Sequence, residues 1–223
     1  MLASSIRGTR GCRWTAAAAL LMVAAGTAGC GQQNTEGRSP SYLVIESLQA
    51  ASGAKPTTFS GTLDSDVITL VTTSVGGQDV TAPTVYEDVG QAKLRMALKD
   101  VGSATSATSP TATNLITVTR YHVDFKRSDG RNTPGVDVPY SFDGAATGTF
   151  GTDGGLLTFS LVRAQAKLEA PLKALQDAGG AIVISTIAQI TFYGADQNGN
   201  SVSVTGSISV NFADWGDPSS SSK

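Results

Sequence analysis

Two stretches near the C-terminal end alternate between apolar and polar side chains with a period of two. From 182 to 192 the even positions are Ile182, Ile184, Thr186, Ala188, Ile190 and Phe192. From 202 to 212 they are Val202, Val204, Gly206, Ile208, Val210 and Phe212, and the odd positions between them are Ser203, Thr205, Ser207, Ser209 and Asn211. Successive side chains of a strand point to opposite faces, so the pattern demands two long strands, each with one buried and one solvated face. The link GADQNGN then selects the turn. A two-residue turn on Asn198-Gly199 pairs 197 with 200 and throws the two apolar faces to opposite sides of the sheet. A three-residue loop, Gln197-Asn198-Gly199, pairs 196 with 200 and keeps them together, with Gly199 taking the left-handed position such a loop needs.

Shorter runs repeat the signal. Ala92, Leu94, Met96 and Leu98 alternate with Lys93, Arg95, Ala97 and Lys99, and Leu157, Phe159 and Leu161 form another set. In NLITVTRYHVDFK (114–126) the apolar positions begin as Ile116 and Val118 and then change parity to Tyr121, Val123 and Phe125, which predicts a bulge near Thr119-Arg120. YLVIESL (42–48) and DVITLVT (66–72) fit further buried strands. Leu168, Leu172 and Leu175, with Pro171 in the first turn and Gly179 at the end, predict one short helix near 170–178. SATSATSPTAT (103–113) reads as a flexible loop. The Asp-Gly pairs at 129–130, 143–144 and 153–154 read as turns, and the glycines at 148–155 as a hairpin connection. Together these predict an all-β chain: an antiparallel β-sandwich of about 7–9 strands with one short helix. The arrangement resembles immunoglobulin-like and fibronectin type III-like domains, and the body is similar to uncharacterised bacterial lipoproteins; neither resemblance implies an activity.

The N-terminal end has a different character. Arg7, Arg10 and Arg13 precede an uncharged stretch, WTAAAALLMVAAGTA (14–28), and no acidic residue occurs before Glu36. A basic start, a short apolar run and a small-residue exit are the parts of a secretory signal peptide. The apolar run is about 15 residues where a spanning helix needs roughly 20, which favours removal over a permanent span. Thr27-Ala28-Gly29-Cys30 resembles the lipobox of bacterial lipoproteins, with Thr27 where that motif usually carries Leu. The resemblance implies that Cys30 is acylated (palmitate) and becomes the mature N-terminus. It also implies a membrane partner through that anchor, and Gly31 in place of Asp leans towards the outer membrane of the cell envelope, facing periplasm or surface. Cleavage after Ala28 by an ordinary signal peptidase is the alternative, and it leaves Cys30 as a free thiol. The expected organisation is thus a signal peptide at 1–29, a lipidated Cys30 with a flexible tether to 41, one sandwich domain at 42–216 and a disordered tail at 217–223. The polar tether, GQQNTEGRSPS, would span on the order of 18 Å.

Three of the 16 basic residues lie in the signal segment, leaving 13 Lys and Arg against 18 Asp and Glu, a net charge of about −5. A mildly acidic body with no basic cluster argues against nucleic acid as a partner. Charged residues make up 15% of the chain, against about 25% in typical domains, and Ser, Thr and Gly take their place, which suits strands with hydroxyl-covered outer faces.

Catalytic groupings are not legible. His122 falls on a solvated strand face with Arg120, Asp124 and Lys126. There is no G-x-S-x-G elbow and no phosphate-binding glycine pattern in a strand-turn-helix context. Asp196, Asn198 and Asn200 have the first spacings of a calcium loop, but Ser201 stands where Gly is needed and no Glu closes the pattern; turn formation accounts for them, and neither metal nor other cofactor is expected. Asp64 and Asp66 carry no stronger pattern. The richest loop is SDGRNTPGVDVPYSFDG (128–144), in which Arg131, Asn132, Asp137, Tyr140 and Asp143 are candidates to contact a sugar or peptide. The bland reading is a crossover between sheets whose prolines, Pro134 and Pro139, block edge pairing. The expected function is a non-catalytic binding or structural module at the envelope, with another envelope protein or a polysaccharide as partner. An extracytoplasmic hydrolase, or a calcium- or sugar-dependent adhesin using the 128–144 loop, is the alternative.

Overall fold

The computed structural model describes residues 37–215; Cys30, the signal segment and the tail from 217 lie outside them. Among the described residues twelve strands form, and eight of them build two main sheets. The smaller sheet has the order β1-β5-β10, from β1 (Ser41–Ala51), β5 (Asp88–Leu98) and β10 (Gly155–Val162). The larger has the order β2-β12-β11-β8-β9 and curls into a half-barrel. Its members are β2 (Thr62–Asp66), β8 (Ile116–Lys126), β9 (Phe142–Phe150), β11 (Ile184–Asp196) and β12 (Ser201–Ala213). The chain is all-β, as the period-two patterns require.

The long C-terminal hairpin follows the sequence closely. Phe192 pairs with Val204 and Ala195 with Ser201, so 196 faces 200 across a three-residue loop in which Gly199 has φ +82°. Ile184, Thr186, Ala188, Ile190 and Phe192 are buried on one face. Ile182, by contrast, lies before the strand and is exposed. The predicted bulge is present: Tyr193 pairs with Arg120 and Gly194 with Val118, which leaves Thr119 unpaired between them. Both Ile116-Val118 and Tyr121-Val123-Phe125 consequently reach the core. A second bulge at Glu46 does the same for β1.

The sheets share one apolar core. Phe159 of the small sheet inserts between Tyr121 and Phe192 of the large one, at centroid distances of 5.2 Å to each. Such aromatic pairs contribute about 0.5–1.5 kcal/mol beyond area burial. The Tyr121 hydroxyl accepts a hydrogen bond from Ser160 N–H across the sheets at 3.1 Å.

Several expectations are corrected. The sheets are not wholly antiparallel, because β2 pairs parallel with β12 along Ser209↔Thr62 to Ala213↔Asp66. The glycine-rich link at 151–154 is not a hairpin: β9 belongs to the large sheet and β10 to the small one, so the chain crosses between layers there. Asp143-Gly144 is no turn but lies inside β9, where the Tyr121 ring occupies the space a side chain at 144 would need. The 128–144 loop joins β8 to β9, neighbours in one sheet, and so is not a crossover between sheets. DVITLVT is divided, since β2 ends at Asp66 and β3 (Thr69–Val75) pairs only with β4 (Gln78–Thr84) in a separate, largely exposed hairpin. The predicted helix is two short pieces, Ala164–Lys167 and a 3-10 turn at Leu172–Leu175, with Leu172 and Leu175 buried and Leu168 54% exposed.

Candidate functional site

The polar residues of the 128–144 loop are spent largely on the loop itself. Asp129 accepts hydrogen bonds from Arg127 Nη2 at 2.7 Å and Arg131 Nη2 at 3.0 Å. The Arg127 hydrogen bond, helped by those from Arg131, outweighs the opposing effect of burial and holds the Asp129 carboxyl well below the usual range. Asn132 Oδ1 accepts from Arg127 N–H at 2.6 Å, and Asp137 Oδ2 accepts from Thr133 N–H at 3.2 Å. Tyr140 is 53% exposed and lays its ring against Gly135. Asp143 is separate: on the solvated face of β9 it lies 3.2 Å from His122 Nδ1 and 3.6 Å from Arg120 Nη1. The five candidates therefore do not converge on one site.

Arg120 leads to a better one. The bulge at Thr119 sets its register, placing it opposite Tyr193, which in turn pairs with Ser203; the three form one row across β8, β11 and β12. The Arg120 guanidinium stacks 3.8 Å above the Tyr193 ring. This row borders a cleft of about 610 Å³ lined also by Tyr42, Lys99 and Ser201. Tyr42 points outward from β1 because its neighbour Leu43 points into the core. Lys99 follows β5 directly, held there by Lys99 N–H donating to Pro40 O at 2.9 Å. Two aromatic rings, two cations and several hydroxyls suit a polar ligand bound by stacking and hydrogen bonds, such as a sugar chain. His122, on the adjoining part of the face, has a carboxylate partner in Asp143. Tyr42, Lys99 and Tyr193 are absent from the sequence-derived candidates; the available signal was Tyr193, an aromatic on the polar parity of its strand.

A second polar group went unseen in the sequence. Lys167 and Asp88 are enclosed in the core, with side chains 1% and 0% exposed, and Lys167 Nζ donates to Asp88 Oδ1 at 2.8 Å. Ser65 Oγ donates to Asp88 Oδ2 at 2.6 Å, Gly53 N–H to Oδ1 at 2.8 Å, and Lys167 Nζ also to Asp66 O at 2.8 Å. Burial pushes the Asp88 carboxyl up, against the opposing charge and hydrogen bond of Lys167 and the hydrogen bonds of Ser65 and Gly53. Enclosed charges need such partners, since an unpaired one would cost several kcal/mol.

Asp196, Asp66 and Asp64 hold local structure. Asp196 accepts from Asn198 N–H, Asn200 N–H and Asn200 Nδ2 at 2.9, 2.9 and 2.8 Å, closing its own turn. Asp66 accepts from Thr69 Oγ1 and Trp215 N–H, and Asp64 from Asn211 Nδ2. Among the described residues no group of three or more His, Cys, Asp or Glu is placed to hold a metal ion, and no helix is long and apolar enough to cross a membrane. Comparison with protein-family models, with curated proteins and with solved structures finds no match.

Proposed function

We propose that the chain is a lipid-anchored, non-catalytic binding module of the cell envelope whose cleft at Arg120 and Tyr193 takes a polysaccharide. The observation that carries the reading is the cleft: a cation stacked on an aromatic ring, with a second ring, a second cation and serines in the same lining. Rings and hydroxyls match the two faces of a sugar, apolar C–H groups and polar hydroxyls. The lipobox-like Thr27-Ala28-Gly29-Cys30 supports the envelope location. A hydrolase based on Asp137 and Asp143 is less favoured, because Asp137 is held by Thr133 and Asp143 stands on β9 with His122 and Arg120.

The finer architecture belongs to the same proposal. With β1, β5 and β10 read as A, B and E and β8, β11 and β12 as C, F and G, the sheet orders A-B-E and G-F-C resemble an immunoglobulin-like sandwich that lacks its D strand. On that assignment β9 takes the place beside C that the variable type fills with an extra strand. The parallel β2 at the far edge departs from it.

Titration calorimetry with purified envelope polysaccharide fractions tests the cleft. Arg120→Ala and Tyr193→Ala are each expected to weaken binding about tenfold, the cost of one lost cation–π or stacking partner. Equal affinity for both variants and the parent chain overturns the assignment. Palmitate labelling of parent and Cys30→Ala protein tests the anchor: label is expected only on the parent, and equal label on both removes it.

A further inference from the structure

The enclosed Lys167–Asp88 pair lies outside the cleft, and its geometry suits a reaction. We propose that Lys167 Nζ and Asp88 Cγ become joined in a side-chain amide bond, closed by the folded protein itself with release of one water. Folding brings the two residues together from 79 positions apart, Asp88 at the start of β5 and Lys167 at the end of a four-residue helix. The amine already sits at contact distance from the carboxyl group, and the core screens both from solvent. Holding two reacting groups in place in this way replaces a bimolecular encounter by an intramolecular one.

The surroundings fit the product as well as the pair. An amide has one N–H to donate and one carbonyl oxygen to accept. Asp66 O stands ready to accept from the nitrogen, and Ser65 Oγ already donates at 2.6 Å to Oδ2, the oxygen that stays as the carbonyl. Gly53 N–H donates to Oδ1, the oxygen that leaves.

The step balances without any co-reactant. One proton passes from the Lys167 ammonium to the Asp88 carboxylate, giving an amine and a carboxylic acid; the enclosed core lowers the cost of this neutral pair relative to two desolvated charges. The upward displacement of the Asp88 carboxyl is in the same direction. The first proton is received at Oδ1, the oxygen Lys167 Nζ already touches. The nitrogen lone pair forms the bond to Cγ while Ser65 Oγ–H holds Oδ2 as it gathers charge, the role of an oxyanion donor. A second proton passes from nitrogen to Oδ1, the bond from Cγ to Oδ1 breaks, water departs, and Oδ2 is left as the amide carbonyl with one hydrogen kept on nitrogen. Exclusion of solvent then protects the amide from hydrolysis.

Tandem mass spectrometry of a tryptic digest of the folded, full-length protein tests this directly. The expected result is a branched peptide joining the segments that contain Asp88 and Lys167, lighter by one water than their sum, with no cleavage after Lys167. Lys167→Arg and Asp88→Ala chains are expected to lack it. Folded parent protein that yields both segments unlinked and at full mass overturns the proposal, as does a branch from Lys167 to any other carboxyl group.

Discussion

Asp196 shows how a single side chain reads differently in the chain and in the fold. Its spacing to Asn198 and Asn200 imitates a calcium loop, yet the carboxylate is buried and closes its own turn through three hydrogen bonds. Burial alone would raise its pKa, but hydrogen bonds from Asn200, Ser39 and Asn198 outweigh that and leave it below the ordinary value. A carboxyl depressed in the folded state contributes stability that is present above the ordinary carboxylate range and is lost as pH falls through the folded value. Asp196→Ala is therefore expected to destabilise the parent by about 1–3 kcal/mol at neutral pH and by less in acid. Urea unfolding at a series of pH values checks this; Asp129 and Glu46, also depressed, act equally in both proteins, so the difference isolates Asp196. A gap between the two curves that stays constant with pH would remove the account. Gly144 teaches the complementary lesson. Beside Asp143 it imitates a turn, and only the Tyr121 ring packed over it explains a glycine in mid-strand.

At the scale of elements, the bulge at Thr119 was legible because it leaves a mark in the pattern. A strand that must bury Val118 and Tyr121 together cannot do so without one extra residue. Deleting Thr119 should turn Ile116 and Val118 to the solvated face, or force the rest of β8 to turn instead. Either choice exposes several core residues, a loss of more than about 4 kcal/mol. The expected outcome is a chain without a cooperative urea transition, followed by circular dichroism; a midpoint equal to the parent's would contradict the register. The helix near 170 was less legible. Leu168, Leu172 and Leu175 have helical spacing, but too few residues stand between Lys167 and Leu175 to nucleate a helix in isolation, and Pro171 interrupts them. The core then selects Leu172 and Leu175 and leaves Leu168 outside.

For the whole molecule, the β3–β4 hairpin stands apart from the two main sheets. Its outer half is exposed, including Val75 and Val80. Replacing residues 71–82 by a short Gly-Ser turn is expected to change the thermal midpoint by no more than about 4 °C, a perturbation of under 1 kcal/mol. Scanning calorimetry decides it, and a collapse of the main transition would mean that the hairpin supports the core. The alternating patterns by themselves determined which residues of β5, β8, β10, β11 and β12 face inward, and where β11 turns into β12. Those properties depend on neighbours one to four positions away, through the two-residue repeat of a strand and the backbone demands of a tight turn. Which strands lie side by side was decided only by the tertiary structure. The departure of β10 from β9 to pair with β5, the parallel seat of β2 on β12, the cleft between Tyr42 and Tyr193 and the burial of Lys167 against Asp88 all join distant positions. Long-range packing sets such contacts, and a lysine that reads as a surface residue in the chain acquires its partner only when the core closes around both.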